Sequence, residues 1–195
     1  MTVLRGRASQ VTDLGNGTVL RVGGFPDREA RIMEHVRQHG FPVPRVREVR
    51  PDALVLERIS APLMAEVLRR RPWLAWRHAG TLADLHARLH AISLDGASVV
   101  HFDLHPQNVF ITRDGPVVID WTNAHPGDPA HDVAMTWLIL ETSAGWPGKA
   151  LAWLFRRRVG VDVIRRGLEG AKGFRLADPN VTDAERSVVR RATPG

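Results

Sequence analysis

The chain has 195 residues, of which 44% are hydrophobic, and its net charge of +6 comes from an excess of arginine. This size and apolar content suffice for a buried core in one domain or in two small lobes. The lack of cysteine excludes disulfides and thiolate metal sites, and no apolar run approaches the roughly 20 residues that a membrane-spanning helix needs. Because residues 1–7 also lack the apolar stretch of a signal peptide, we expect a soluble, cytoplasmic protein.

The first sixty residues predict a small antiparallel sheet with one helix. Short β-prone runs separated by turn residues predict five strands, at 2–4, 10–14, 18–22, 45–49 and 53–59. Asp27 is expected to cap a helix that ends at His39, because a glycine and two prolines follow it. Ser60-Ala61-Pro62 marks a hinge after which the composition becomes helical. We therefore expect an N-terminal lobe at 1–59 and a C-terminal lobe at 60–195.

Apolar residues at helical spacing predict that the C-terminal lobe is mainly helical. Helices are expected over 74–92, from Asp128 through 134–140, over 148–170, and from the capping box of Thr182 and Glu185. His86 and His90 lie four residues apart on the first of these, a spacing that a metal site could use. No third ligand with suitable spacing accompanies them in the sequence, so packing roles are favoured.

The most informative stretch is 101–120, which contains His101, Asp103 and Asn108 in the pattern His-x-Asp-x4-Asn. Composition alone would produce this pattern about 0.01 times in a chain of this length. Two β-prone runs around a Gly-Pro turn follow it and predict a hairpin that ends at Asp120. Because a hairpin brings the start of one strand beside the end of the next, Asn108 and Asp120 should lie roughly 5 Å apart. These residue types suit magnesium binding and phosphoryl transfer from a nucleotide.

Three motifs in this region resemble those of one family: HFDLHPQN at 101–108, VIDW at 118–121 and GDPAHD at 127–132. They are similar to the aminoglycoside phosphotransferase and choline kinase-like group. The resemblance implies an α+β, protein-kinase-like fold of two lobes, with a small antiparallel sheet and one helix in the first and mainly helices in the second. It also implies the site residues, which are Asp103 as catalytic base, Asn108 and Asp120 as magnesium ligands, Asp132 as the support of the catalytic loop, and His101 and His105 as supporting residues of the same motif.

The resemblance places the nucleotide phosphates against the N-terminal lobe. Gly6 and Ser9 lie between the first two predicted strands, where a phosphate-covering loop belongs, although an ordinary hairpin turn is equally consistent with them. Arg21 aligns with the family's phosphate-contacting lysine, and a guanidinium can bind phosphate oxygens with two hydrogen bonds. Glu29 matches the helix glutamate that pairs with this basic residue. It could instead stabilise only the first turn of its helix, but the combined pattern favours the pair.

These features predict a small-molecule kinase that moves the γ-phosphate of a nucleoside triphosphate, ATP or GTP, to a hydroxyl group with the help of Mg²⁺. The alternative is a degenerate kinase-like module that binds a nucleotide or another protein without phosphotransfer. An arginine at position 21, a single glycine in the loop and a short C-terminal region favour this alternative, whereas the intact Asp103, Asn108 and Asp120 argue against it.

Arginine clusters allow a third hypothesis, nucleic-acid binding; they lie at 69–71, 156–158, 165–166 and 190–191. The clusters are dispersed and accompany no known nucleic-acid-binding motif, which favours a solvated surface instead. The phosphoryl acceptor and the oligomeric state are left open by the sequence.

Overall fold

The computed structural model describes residues 3–5, 10–143, 146–178 and 181–195, and within them the chain forms ten strands and seven α-helices. The strands are β1 (Val3–Arg5), β2 (Gln10–Asp13), β3 (Thr18–Val22), β4 (Val46–Arg50), β5 (Ala53–Glu57), β6 (Ser93–Leu94), β7 (Ala97–Val100), β8 (Val109–Ile111), β9 (Pro116–Val118) and β10 (His125–Gly127). The helices are α1 (Pro26–Gln38), α2 (Met64–Arg70), α3 (Ala75–His90), α4 (Pro129–Thr142), α5 (Trp146–Val159), α6 (Val161–Ala177) and α7 (Asp183–Arg191). None of the described helices combines the length and apolar character needed to cross a membrane.

The N-terminal part is an antiparallel sheet with strand order β1-β2-β3-β5-β4, and α1 packs against β4 and β5. The apolar run of β5 is buried together with Ile32, Met33 and Val36 of α1. The five predicted strands and the helix are thus confirmed. The predicted cap is wrong, because α1 begins at Pro26, whose restricted φ suits a first helical turn, and Asp27 lies inside that turn.

The helical part is built around α3 and α4. Leu82, Leu85 and Leu89 of α3 are fully buried, as their spacing predicted. The single helix predicted over 148–170 is instead two helices, α5 and α6. Gly160 separates them with a φ of 88°, a left-handed conformation that interrupts a right-handed helix and that glycine adopts without strain.

The start of α4 is held by a very close contact with α6. Asp128 caps α4 by accepting a hydrogen bond from the Ala130 N–H at 2.8 Å, which confirms the predicted cap. A Cβ atom added at Gly167 of α6 would lie 1.9 Å from the carbonyl oxygen of Ala130. Because no side chain fits in that space, glycine at 167 sets the distance between the two helices and hence the position of Asp132, one turn into α4.

Candidate active site

The loop between β7 and β8 is held in its conformation by Asp132. The two carboxylate oxygens of Asp132 accept hydrogen bonds from the backbone N–H groups of His101 (2.9 Å) and Phe102 (2.7 Å). Phe102 has a φ of 61°, an unfavourable region for an aromatic residue that persists where the surroundings impose it. Nδ1 of His101 accepts a hydrogen bond from the Asp103 N–H at 3.2 Å. The side chains of Asp132 and His101 are therefore buried on one side of the loop backbone, whereas Asp103 lines the cleft.

Asp103 is surrounded by hydrogen-bonding groups of its own motif. The side-chain NH₂ of Asn108 donates to the backbone oxygen and to Oδ2 of Asp103, at 2.9 Å each. Nε2 of His105 lies 3.4 Å from Oδ1, while Nδ1 of His105 accepts the Gln107 N–H. Burial alone would raise the pKa of Asp103, but the hydrogen bonds and charges of His105, His101 and Asn108 outweigh it and hold this pKa below its ordinary value. Asp103 is therefore ionised at neutral pH.

The β8–β9 hairpin brings Asn108 and Asp120 together, as its predicted register requires. Val109 pairs with Val118, and the backbone oxygen of Asn108 accepts the Ile119 N–H at 2.9 Å, so Asp120 lies one residue beyond that contact. Oδ1 of Asp120 accepts a hydrogen bond from the Thr122 hydroxyl at 2.7 Å. Among the described residues, neither Oδ2 of Asp120 nor Oδ1 of Asn108 accepts a hydrogen bond. These two oxygens are of the carboxylate and amide type that a hard divalent cation takes as ligands.

Arg21 and Glu29 form a buried ion pair on the N-terminal side of the cleft, where their side chains are 6% and 2% exposed. Arg21 also donates from Nη1 to the Gly23 oxygen at 3.2 Å and from Nη2 to the Thr122 hydroxyl at 2.8 Å. Burial raises the pKa of Glu29 more than the guanidinium of Arg21 lowers it. The contact between Arg21 of β3 and Glu29 of α1 that the sequence predicted is thus present. Through its hydrogen bond to Thr122, Arg21 also contacts the C-terminal part of the chain.

The histidines of α3 have a neighbour that the sequence did not reveal. Asp132 of α4 lies between them, with Oδ2 2.9 Å from Nε2 of His90 and 3.4 Å from Nδ1 of His86. The expectation that no third metal-ligand group is nearby is therefore wrong for the described residues, because the folded chain supplies one from another helix. Since the Thr136 hydroxyl donates to the Leu104 oxygen, it must accept from Nε2 of His86.

This buried cluster supports the loop between β7 and β8. Both oxygens of Asp132 already accept backbone N–H groups of the loop, and Oδ2 also lies in hydrogen-bond contact with Nε2 of His90 at 2.9 Å. Burial would raise the pKa of Asp132, but the charges and hydrogen bonds of His86 and His90 hold this pKa well below its ordinary value. Burial also lowers the pKa of His86. An ionised carboxylate is therefore fixed under the loop.

Part of the proposed site lies around one open cleft of about 1840 Å³, which exceeds the usual size of a pocket for a single small ligand. Glu29, His101 and Asp132 are buried and do not line it. Arg21, Asp103, His105, Asn108 and Asp120 all line it. Gly6 and Ser9, predicted to contact phosphate, lie outside the described residues.

Comparison with known families identifies this arrangement. A model of the phosphotransferase enzyme family matches residues 61–168, more than half of the 195 residues. The chain belongs to this family. The resemblance found in the three sequence motifs is thereby confirmed, and the matched segment contains every proposed site residue of the C-terminal part.

Two curated proteins are also similar in sequence to this phosphotransferase. It is 25% identical over 146 residues to the EKC/KEOPS complex subunit BUD32 of Encephalitozoon cuniculi, covering 74% of this chain and 70% of that protein. It is 29% identical over 93 residues to the probable serine/threonine-protein kinase BUD32 homolog of Archaeoglobus fulgidus. That second match covers 48% of this chain and 42% of that protein, so the chain spans less than half of its length.

Solved structures show that the phosphotransferase has a kinase-like fold. A thermostable mutant of aminoglycoside phosphotransferase APH(4)-Ia, in a ternary complex with AMP-PNP and hygromycin B, superposes with a TM-score of 0.69 at 15% identity, covering 97% of this chain and 92% of that chain. A choline/ethanolamine kinase family protein from Mesorhizobium loti gives a TM-score of 0.59 at 15% identity, covering 97% and 84%. The predicted α+β architecture, with a small antiparallel sheet and a mainly helical remainder, is confirmed.

Sequence reasoning missed three residues of the phosphotransferase cleft. Thr122, two residues after Asp120, contacts both Asp120 and Arg21; its position directly after the VIDW motif was the available signal. Trp73 and Trp76, which are 68% and 59% exposed, also line the cleft. Two tryptophans at spacing three around the start of a core helix give no signal that separates packing from ligand contact.

Proposed function

We propose that this protein transfers the γ-phosphoryl group of a nucleoside triphosphate to a hydroxyl group of a small molecule. The observation that carries the proposal is the grouping of Asp103, Asn108 and Asp120 on one wall of the cleft. Arg21, which pairs with the buried Glu29, lies on the wall formed by the N-terminal part. A base for a hydroxyl, ligands for a cation and a positive charge near the phosphates are the components that phosphoryl transfer requires.

Asp103 would act as the base that orients the acceptor hydroxyl and accepts its proton. Its lowered pKa keeps the carboxylate ionised at neutral pH but makes it a weak base. Such a base contributes mainly by positioning, since the loose transition state of phosphoryl transfer needs little prior deprotonation of the nucleophile. The hydrogen bond from Asn108 to Oδ2 keeps the Asp103 carboxylate in one orientation, and the second one, to the backbone oxygen of Asp103, holds the loop beside it.

Asn108 and Asp120 would hold magnesium through the two oxygens that accept no other hydrogen bond among the described residues. Magnesium, when bound, supplies charge neutralisation on the β- and γ-phosphates. Arg21, held by Glu29, would add positive charge beside the same phosphates, with backbone groups at Gly6 and Ser9 as further contacts. A solved neighbour, amicoumacin kinase hAmiN, was crystallised with AMP-PNP and Ca²⁺, which supports ATP as the donor, with GTP as the alternative. We place this activity in the cytoplasm.

A hydroxyl group of a protein is the second candidate acceptor. The observation in its favour is the 29% identity to a probable serine/threonine-protein kinase over 93 residues. The 97% coverage in superpositions on a hygromycin B complex and on amicoumacin kinase instead favours a small molecule. Incorporation of labelled phosphate into protein, compared with release of a labelled small product, separates the two acceptors.

The nucleotide site is tested by thermal shift with ATP and with GTP, each with and without Mg²⁺. A nucleotide at a hundredfold its Kd stabilises the fold by about 2.7 kcal/mol, which raises the Tm by roughly 5–10 °C. We expect a magnesium-dependent shift that Asp120→Asn removes and that Asp114→Asn, at the exposed hairpin turn, leaves intact. Absence of any shift would favour the degenerate module, and a shift indifferent to Mg²⁺ would indicate anion binding to a basic surface.

A further inference from the structure

Thr122 connects the N-terminal part of the chain to the proposed metal site. Its hydroxyl accepts a hydrogen bond from Nη2 of Arg21 at 2.8 Å and donates one to Oδ1 of Asp120 at 2.7 Å. Its backbone oxygen accepts a third hydrogen bond, at 2.7 Å, from Nη2 of Arg28 on α1. Guanidinium, hydroxyl and carboxylate thus follow one another in donor-to-acceptor order, an arrangement in which each hydrogen bond strengthens the next.

The orientation of the Thr122 side chain is set by the loop before α1. A Cβ atom at Gly24 would lie 3.4 Å from Cγ2 of Thr122 and 3.4 Å from both Nη1 and Nη2 of Arg21. The methyl group of Thr122 therefore faces the backbone of Gly24, and the hydroxyl faces Arg21 and Asp120. The contact of the methyl group with Gly24 and the two hydrogen bonds of the hydroxyl with Arg21 and Asp120 restrict the Thr122 side chain to one rotamer.

We infer that Thr122 is a positioning residue for the magnesium site, an inference that rests on the proposed role of Asp120. By occupying Oδ1, the hydroxyl fixes the rotation of the Asp120 carboxylate, so that Oδ2 is the oxygen offered to the cation. By accepting a hydrogen bond from Arg21, it holds the guanidinium that is proposed to face the phosphates in a constant position relative to that oxygen. The hydroxyl thereby couples cation binding to the placement of Arg21.

The role can be measured without turnover by following Mn²⁺, which accepts the same oxygen ligands as Mg²⁺, by electron paramagnetic resonance in the presence of AMP-PNP. Loss of a group that orients a metal ligand typically lowers metal affinity 10–100-fold. We expect Thr122→Val to raise the Kd for Mn²⁺ by that factor, and Thr122→Ser, which keeps the hydroxyl, to stay within threefold of wild type. Thr112→Val is the matched control, because the Thr112 hydroxyl also makes two hydrogen bonds but lies at the hairpin turn.

The outcomes separate this inference from the proposed function. If Asp120→Asn abolishes Mn²⁺ binding while Thr122→Val stays within twofold of wild type, Thr122 has no positioning role. If Mn²⁺ binding survives Asp120→Asn, the proposed function is overturned and the coupling with it. Should the valine variant fail to fold, Thr122→Ala gives the same comparison, and an unchanged Kd in that variant likewise overturns the inference. A raised Kd in the serine variant as well would assign the effect to packing and not to the hydroxyl.

Discussion

Asn108 donates its side-chain amide to both the backbone carbonyl and the carboxylate of Asp103, at 2.9 Å in each case. The proposed base and one proposed metal ligand are therefore a single hydrogen-bonded unit. A cation that binds the amide oxygen of Asn108 would polarise the same amide group that orients Asp103. Cation binding and placement of the proposed base would then be linked through one side chain.

Asp103→Ala should nearly abolish turnover while nucleotide binding is retained. A general base contributes about 10²–10⁴-fold to the rate, and the nucleotide contacts proposed here lie on other residues. Release of ADP measures the first effect and thermal shift with nucleotide the second. Asp114→Ala, at the exposed turn of the same hairpin, should behave as wild type. An Asp103→Ala enzyme within tenfold of wild-type turnover would exclude the proposed base.

His105→Gln should move the acid limb of the pH–activity profile to higher pH. The hydrogen bond and charge of His105 help to hold the pKa of Asp103 below its ordinary value, against the opposing effect of burial. Without them this pKa rises, and because the base acts in its ionised form, activity is lost at a higher pH. Profiles of kcat/KM against pH check the shift. His39→Gln, at the exposed position directly after α1, is the control. If the acid limbs of His105→Gln and the wild type coincide, His105 does not lower the pKa of the proposed base.

Glu29→Leu should destabilise the fold by about 3–5 kcal/mol, because it leaves the buried guanidinium of Arg21 without its counter-ion. Chemical denaturation measures the change, and the Tm should fall by roughly 10 °C. Glu34→Leu on the same helix is the matched control, since Glu34 pairs with Arg37 at the surface and little change is expected there. Equal effects of the two substitutions would show that the buried pair contributes nothing beyond helix surface charge.

His78→Leu should stabilise the protein, and the gain should increase in acid. Burial lowers the pKa of His78 in the folded state, and among the described residues neither ring nitrogen has a hydrogen-bond partner. The unfolded chain, with a histidine pKa of about 6.5, binds the proton more readily, so stability falls as pH drops below that value. We expect a gain of about 1–3 kcal/mol at pH 7 and a larger one at pH 5. Denaturation curves in which leucine gives no gain at either pH would refute this.

The parts of the site that were predictable from the sequence depend on short-range structure. Asp103, Asn108 and Asp120 fall within eighteen residues and are placed by one hairpin, whose turn and strand signals are local. The contact of Arg21 with Glu29 spans a strand and the following helix, so their order along the chain already allowed it. The roles proposed for these residues come from the resemblance of the motifs to those of the family.

The parts that were missed depend on contacts between distant elements. Thr122 contacts Arg21 across 101 positions, and Asp132 of α4 contacts His86 of α3 although five strands separate these helices in the chain. Neither hydrophobic periodicity nor the spacing of motif residues along the chain predicts contacts between such distant elements. The break at Gly160 was missed for another reason: the apolar pattern continues through it, and one glycine in a helical run does not by itself indicate an end.

The tight crossing of α4 and α6 also limits how this protein can be made more stable. Replacing a helical glycine by alanine is a common route to a more robust protein, because it restricts the unfolded chain. At Gly167 the added methyl group would push against the backbone of Ala130 and displace the first turn of α4. Asp132 would move with that turn, and the loop that carries Asp103 would lose its support. Alanine at this position would therefore lower both the stability of the fold and the support of the loop, although Gly167 lies outside the cleft where the reaction is proposed to occur.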